Sequence, residues 1–210
     1  FDALIETLGV DISAPGAFRR TPLIIGRVIS LKGAPLNEDT VAESERWVVD
    51  GEIGMPYIAR QPPEVEIVEG EWWPEDYQGA LLVSIEADAA RGLGLGIGDM
   101  IGFRVFGRDV EARVSSLRNV DWGSFGANTA FILSPGTLEA AQPQHIAIVQ
   151  VEPGGEAAII EGLANDFPNV VVFQTREALA TAGRLLGNIS IAINAAASIV
   201  LVAGLLVLFG

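Results

Sequence analysis

The chain has 210 residues, half of them hydrophobic, and carries 27 acidic against 13 lysine and arginine side chains, a net charge of −14. This balance excludes nucleic acid as a partner, because phosphate recognition needs clustered lysine and arginine. With no cysteine in the sequence, disulfides and thiolate chemistry are excluded as well. The acids crowd positions 38–76 and the longest uncharged apolar stretch ends the chain. Composition therefore predicts an acidic folded part joined to an apolar tail.

The N-terminal part, residues 1–21, is predicted to be the end of a preceding helix and a linker. Apolar residues at helical spacing in positions 1–8 favour a short helix that is the outer end of an earlier membrane span. A polar link then leads to Arg20. Because the chain starts at Phe1 and stops while still apolar, we expect it to be a piece of a longer polytopic protein.

Residues 22–143 are predicted to form a β-rich subdomain. Pro22–Leu31 is the first strand, and Asn37 is the expected N-cap of one or two helical turns that end near Trp47. Glycine closes a short helix at Glu86–Leu93. Short apolar or alternating runs predict the remaining strands, with a hairpin around Gly107-Arg108. These strands are Trp47–Val49, Ile53–Ala59, Glu64–Glu69, Leu81–Ile85, Met100–Phe106, Val110–Leu117 and Thr129–Leu133.

Residues 144–175 show a different pattern of apolar residues. A strand at His145–Val151, a helix at Gly155–Phe167 and a second strand at Val170–Phe173 together predict one β-α-β unit. The fold class expected is therefore α+β.

Residues 176–210 are predicted to form a stalk and one transmembrane helix. From Leu185 to Gly210 the chain has no charge, and a helix of that length would reach about 39 Å at ~1.5 Å per residue, more than the roughly 30 Å hydrocarbon core of a bilayer. The alternative, a buried core helix, usually carries charges on one face. A small and polar stripe on this helix favours packing against further membrane helices, unless these residues lie close enough to the headgroups to be hydrated. The stripe consists of Gly187, Ser190, Asn194 and Ser198.

Sequence motifs for chemistry are sparse. The glycine run Gly92–Gly98 lacks the Lys-Ser/Thr pair of a phosphate loop, and the third glycine of a dinucleotide fingerprint would fall on Asp99. His145 has no cysteine to help it hold a metal, so a structural or exposed histidine is expected. No catalytic, cofactor or metal residues are predicted. The paired acids Glu69 with Glu71, and Glu75 with Asp76, are interpreted as a solvated rim, with a calcium site or an acid/base pair as the alternative.

Five stretches carry a family resemblance: Ile67-Val-Glu-Gly-Glu-Trp-Trp-Pro74, Leu82-Val-Ser-Ile-Glu86, Leu93-Gly-Leu-Gly-Ile-Gly-Asp99, Val114-Ser-Ser-Leu-Arg-Asn-Val-Asp-Trp122 and Phe131-Ile-Leu-Ser-Pro-Gly136. In this order they resemble the extracytoplasmic domain of FtsX-like ABC transporter permeases, and within them the second such domain of the large two-domain members. The resemblance covers roughly residues 22–210.

The resemblance implies a MacB-type domain between two membrane helices, with a porter-like part of β-α-β units and a β-rich insertion. Between Phe18 and Pro22 the family usually carries a strand and a helix of the first unit, and here only Arg19-Arg20-Thr21 stand. Either half of the porter-like part is lost or the sequence omits a segment there.

The function that the resemblance implies is that of a permease subunit in the inner membrane, without catalytic residues. Residues 1–184 would lie outside the cytoplasm, and a separate cytoplasmic ATPase would drive export or extraction of a hydrophobic or lipid-related substrate by mechanotransmission. The alternatives are a scaffold that recruits and activates a periplasmic hydrolase, and a membrane-anchored enzyme that uses the acidic rim. Trp72, Trp73 and Trp122 are candidates for an apolar contact surface, against the alternative that they pack inside the domain.

Overall fold

The computed structural model describes residues 6–7, 18–120, 128–136, 143–151 and 154–173. The chain divides into two compact units, Phe1–Val151 and Glu152–Gly210. The described part is a sheet-rich α+β fold with few helices, as the sequence predicts.

The first unit contains all nine strands of the described residues. They are β1 (Phe18–Leu31), β2 (Ala34–Pro35), β3 (Ile53–Pro56), β4 (Glu66–Gly70), β5 (Leu82–Glu86), β6 (Met100–Val105), β7 (Arg108–Asn119), β8 (Phe131–Leu133) and β9 (Gln144–Val149). Two 3₁₀ helices, η1 (Glu38–Thr40) and η2 (Glu43–Val48), and the α-helix α1 (Ala87–Gly92) lie between them. The second unit contributes α2 (Glu156–Asp166).

Strand β1 is the longest strand and the hub of the sheet. Along one edge of β1 lies β9, followed by β6. Along the other edge lies β3, followed by β2. All four strands are antiparallel to β1. Ile24, Gly26 and Val28 alternate toward the buried face. Gly26 is required there, because a Cβ would lie 2.8 Å from Met55 Cε and 2.9 Å from the Arg104 carbonyl oxygen.

The sheet closes on itself. β1, β6, β7, β5 and β8 are successive neighbours, with β5 and β7 parallel. After β8 the circuit returns through the residues that follow β3: Tyr57 bridges Leu133, and the Ile58 N–H donates to the Leu133 carbonyl at 3.1 Å. β3 in turn pairs with β1. We call this circuit the closed sheet.

The closed sheet encloses the hydrophobic core. Phe103 of β6 and Phe131 of β8 are fully buried and meet edge to face, with ring centroids 5.2 Å apart. Ala89 and Ala90 of α1 belong to the same buried cluster. Because every neighbouring strand contributes to this one cluster, the strands of the closed sheet stabilise one another as a single body.

The predicted β6–β7 hairpin is present, but its turn lies one residue earlier than Gly107-Arg108, since Arg108 already pairs with Val105. Phe106 and Gly107 form the two-residue turn with φ of 47° and 77°, the combination of a type I′ turn, in which asparagine followed by glycine is favoured. Phe106 is also 64% exposed. An aromatic residue therefore occupies a left-handed position that costs it about 1 kcal/mol, and its ring gains little burial in return.

We expect Phe106→Asn to raise the free energy of unfolding by about 0.5–1 kcal/mol, because asparagine tolerates the left-handed conformation. Urea unfolding of the two proteins measures the difference. Phe106→Ala removes the ring but keeps the strain, so it should leave stability nearly unchanged. A loss of stability in Phe106→Asn would show that the phenyl ring itself stabilises the turn.

Several expected boundaries are corrected. β1 begins at Phe18, so residues 18–21 are strand rather than link, and they pair with β9. Trp47–Val49 is not a strand: Trp47 and Val48 end η2, and Val48 and Val49 are buried by packing instead of strand pairing. The predicted N-cap is confirmed, since the Asn37 side chain accepts from the Asp39 N–H at 3.1 Å.

The predicted β-α-β unit is found only in part. Its first strand and its helix exist as β9 and α2, and in α2 Ile159 and Leu163 are buried. Val170–Phe173 pairs with no strand in the part of the chain that the structure describes, and Val171 and Phe173 are largely exposed. An apolar run becomes a strand only where a neighbour supplies hydrogen bonds, and four residues alone do not supply them.

Within the described ranges no helix has the length and apolar character needed to cross a membrane. The predicted span at 176–210, with its packing stripe at Gly187, Ser190, Asn194 and Ser198, lies outside those ranges, as does most of the helix predicted at 1–8.

Candidate functional site

The adjacent tryptophans Trp72 and Trp73 follow β4 and are tied to the backbone. The Trp72 Nε1–H donates to the Ala59 carbonyl at 3.1 Å and the Trp73 Nε1–H to the Ile58 carbonyl at 2.8 Å. Their ring centroids are 4.2 Å apart. Trp73 is only 4% exposed, so its ring packs inside the unit and offers no external contact area. Trp72 is half-buried, and Trp122 lies outside the described residues.

The acidic rim does not assemble into a reactive pair. Glu69, Glu71 and Asp76 are exposed, and Glu75 forms a two-pronged ion pair with Arg60 at 2.8 and 3.2 Å. The hydrogen bond and charge of Arg60 lower the pKa of Glu75, whereas a general acid needs a raised one. Among the described residues no group of three or more His, Asp or Glu side chains is placed to hold a metal.

The glycine run is a structural loop. The Gly96 N–H donates to the Asp99 carboxylate at 2.8 Å, and Lys32 lies 3.2 Å from the same oxygen. These two contacts, the backbone hydrogen bond first, lower the pKa of Asp99. The Gly96 N–H of this loop is therefore occupied by a carboxylate of the same chain. His145 is exposed on β9, as expected.

A buried polar cluster was missed by sequence reasoning. It consists of Ser84 and Glu86 on β5 and Ser116 and Arg118 on β7, and we call it the polar seam. Ser84 is the register partner of Ser116, and Glu86 that of Arg118. All four are buried, with Glu86 at 6% and Arg118 at 0% exposure. The repeated pattern Ser-Ile-Glu and Ser-Leu-Arg was the only signal, and it is visible only once the parallel pairing of the strands is known.

The four residues of the polar seam differ in how completely their polar groups are hydrogen-bonded. The Ser116 hydroxyl lies 2.9 Å from that of Ser84, and Glu86 Oε2 accepts from the Ala89 N–H at 2.6 Å, which makes it the N-cap of α1. Arg118 Nη2 donates to the Thr129 carbonyl, but its Nε and Nη1 have no hydrogen-bond partner among the described residues. Burial lowers the pKa of Arg118 to about 10, against the raising effect of the Glu86 charge.

No protein-family model matches the chain. A curated relative described as the uncharacterized ABC transporter permease YbbP of Escherichia coli (strain K12) is 26% identical over 143 residues. The chain is a distant relative of an ABC transporter permease. The aligned stretch covers 68% of this chain and 17% of the relative, so the chain spans about one sixth of the length of the protein that it matches.

This similarity supports the ABC permease family in general. It does not separate the FtsX-like or MacB-type branch from other permeases, so those finer assignments stay predictions from the sequence motifs. The aligned relative is a permease by its description, which favours a transporter subunit over an enzyme.

Proposed function

We propose that this chain is part of a permease subunit of an ABC transporter and forms an extracytoplasmic domain of it. ATP would be hydrolysed on a separate cytoplasmic subunit, and the chain would lie in the inner membrane with residues 1–184 outside the cytoplasm. The observation that carries the proposal is the similarity to an ABC permease over 68% of the chain.

The work that this domain performs is proposed to be mechanical. Motion transmitted from the ATPase can move a substrate only if the moving part does not deform, and the closed sheet supplies such a body because its strands share one core. The substrate class proposed is hydrophobic or lipid-related. It rests on the resemblance of the sequence motifs and not on a site among the described residues.

The test uses the full-length permease reconstituted in nanodiscs together with its partner ATPase. We expect the permease to change the ATP hydrolysis rate of the ATPase, and added phospholipid or a hydrophobic compound to change it further. Retention of a soluble hydrolase by residues 1–184 alone, with no effect of any compound on ATP turnover, would instead establish the scaffold.

A matched variant separates transport from an anchored enzyme. Replacing Glu69, Glu71, Glu75 and Asp76 together by alanine should leave the coupled ATP hydrolysis intact, because these side chains are exposed and form no reactive pair. A hydrolytic activity that persists without nucleotide and disappears in this variant would overturn the proposal.

A further inference from the structure

The guanidinium of Arg118 is the least satisfied polar group in the described part of the chain. It is fully buried, and its Nε and Nη1 atoms lack hydrogen-bond partners. Each unpaired buried donor carries a desolvation penalty, and most buried polar groups in native proteins avoid it. Such a group calls for an explanation in terms of a second arrangement of its neighbours.

The neighbour that could satisfy it is Glu86. The two residues are register partners on parallel strands, which lie about 4.8 Å apart, within reach of both side chains. In the observed arrangement Glu86 Oε2 accepts from the Ala89 N–H at 2.6 Å and so caps α1. Arg118 donates no hydrogen bond to this carboxylate, since its described hydrogen bond goes to the Thr129 carbonyl.

We propose that the Glu86 carboxylate is a two-position latch, which either caps α1 at Ala89 or pairs with Arg118 through its free Nε and the adjacent Nη2. The second position satisfies Nε in the side-by-side geometry that carboxylates and guanidinium groups favour, the geometry that Arg60 and Arg104 adopt with Glu75 and Asp109. It leaves the first turn of α1 without its cap. The two positions thus exchange a capped helix start for a better paired buried cation.

The latch connects the sheet interior to the acidic surface. α1 packs on the segment that carries η2: the Ala42 N–H donates to the Gly92 carbonyl at 3.1 Å, and a Cβ on Gly92 would lie 2.3 Å from Glu45 Cγ. Loosening the first turn of α1 therefore loosens the support of the acid-rich η2 segment. The polar seam thereby couples the position of the Glu86 side chain to the packing of the η2 segment.

The experiment is amide hydrogen exchange of the full chain in nonionic detergent. The readouts are the amides of Ala89, which the Glu86 side chain caps, and Leu93, which donates to the Ala89 carbonyl at 2.9 Å. The protection factor of each amide is divided by that of the Phe103 amide in β6, so that a change in global stability cancels. In Arg118→Met the carboxylate has one position left, and we expect the relative protection of Ala89 and Leu93 to rise by at least about threefold.

Three further variants keep the test specific. Arg113→Met, an exposed arginine on the same strand, should change nothing. Arg118→Lys, which keeps the charge without the planar fork, should give a smaller rise. In the double variant Glu86→Gln with Arg118→Met the gain should disappear, because it depends on the carboxylate.

Unchanged or lowered relative protection in Arg118→Met would overturn the latch and make Arg118 a support of the capped position. A gain that persists in the double variant would overturn it as well, since the carboxylate would then play no part.

Discussion

Arg118→Met is expected to raise the free energy of unfolding by about 1–3 kcal/mol at neutral pH, because it removes a buried cation with two unpaired donors. Methionine has a similar length and fills the same space without a charge. The lowered pKa of Arg118 shows that desolvation outweighs the attraction of Glu86. The charged side chain is therefore a net burden on the folded state.

The pH dependence has a definite sign. Burial lowers the pKa of Arg118 from its ordinary value to about 10, so in the pH range between about 10 and that ordinary value the folded chain releases the proton while the unfolded chain still binds it. Stability rises with pH wherever the unfolded state binds more protons. The destabilisation by the buried charge is thus fully present below pH ~10 and is relieved progressively above it. Its upper bound is roughly 3.5 kcal/mol at ~1.4 kcal/mol per pKa unit.

Urea unfolding at pH 7 and at pH ~10.5 checks both statements. The advantage of Arg118→Met over the wild type should be largest at pH 7 and smaller at the alkaline value. Arg113→Met, on the exposed side of the same strand, is the control and should stay within about 0.5 kcal/mol of the wild type. If Arg118→Met is instead destabilised at pH 7, the attraction between Arg118 and Glu86 dominates.

The sequence predicts the local elements of this fold well, because alternation and turn chemistry are local signals. The β6–β7 hairpin, the α1 helix and the Asn37 cap each follow from residues within a few positions of one another. The order of strands in the closed sheet does not follow from such local signals. The parallel pairing of β5 with β7 and the bridge from Tyr57 to Leu133 join residues that are far apart in sequence.

The predictions that failed also depend on contacts between residues that are far apart in the sequence. Val48 and Val49 have the composition of a strand, yet packing buries them without any strand partner. Val170–Phe173 has the composition of a strand and finds no partner among the described residues. Arginine is almost never fully buried unless paired, so no sequence argument would place Arg118 inside. The polar seam therefore depends on the tertiary pairing, which composition does not reveal.

The enclosed core should be the most sensitive part of the described chain. Phe103→Ala is expected to lower the free energy of unfolding by about 3–5 kcal/mol, since it deletes a fully buried ring and leaves a cavity. The edge-to-face contact with Phe131 is lost too, and such pairs contribute about 0.5–1.5 kcal/mol beyond burial. Urea unfolding followed by tryptophan fluorescence measures the loss.

The matched control is Phe106→Ala, the same substitution three positions along the chain. Phe106 is 64% exposed at the hairpin turn, so its removal should change stability by less than about 0.5 kcal/mol. Similar losses in both variants would mean that the turn, and not the enclosed ring, holds the hairpin in place. We expect the large loss to be confined to Phe103, because its buried ring joins β6 to β8. These strands are not neighbours in the sheet and meet through their side chains.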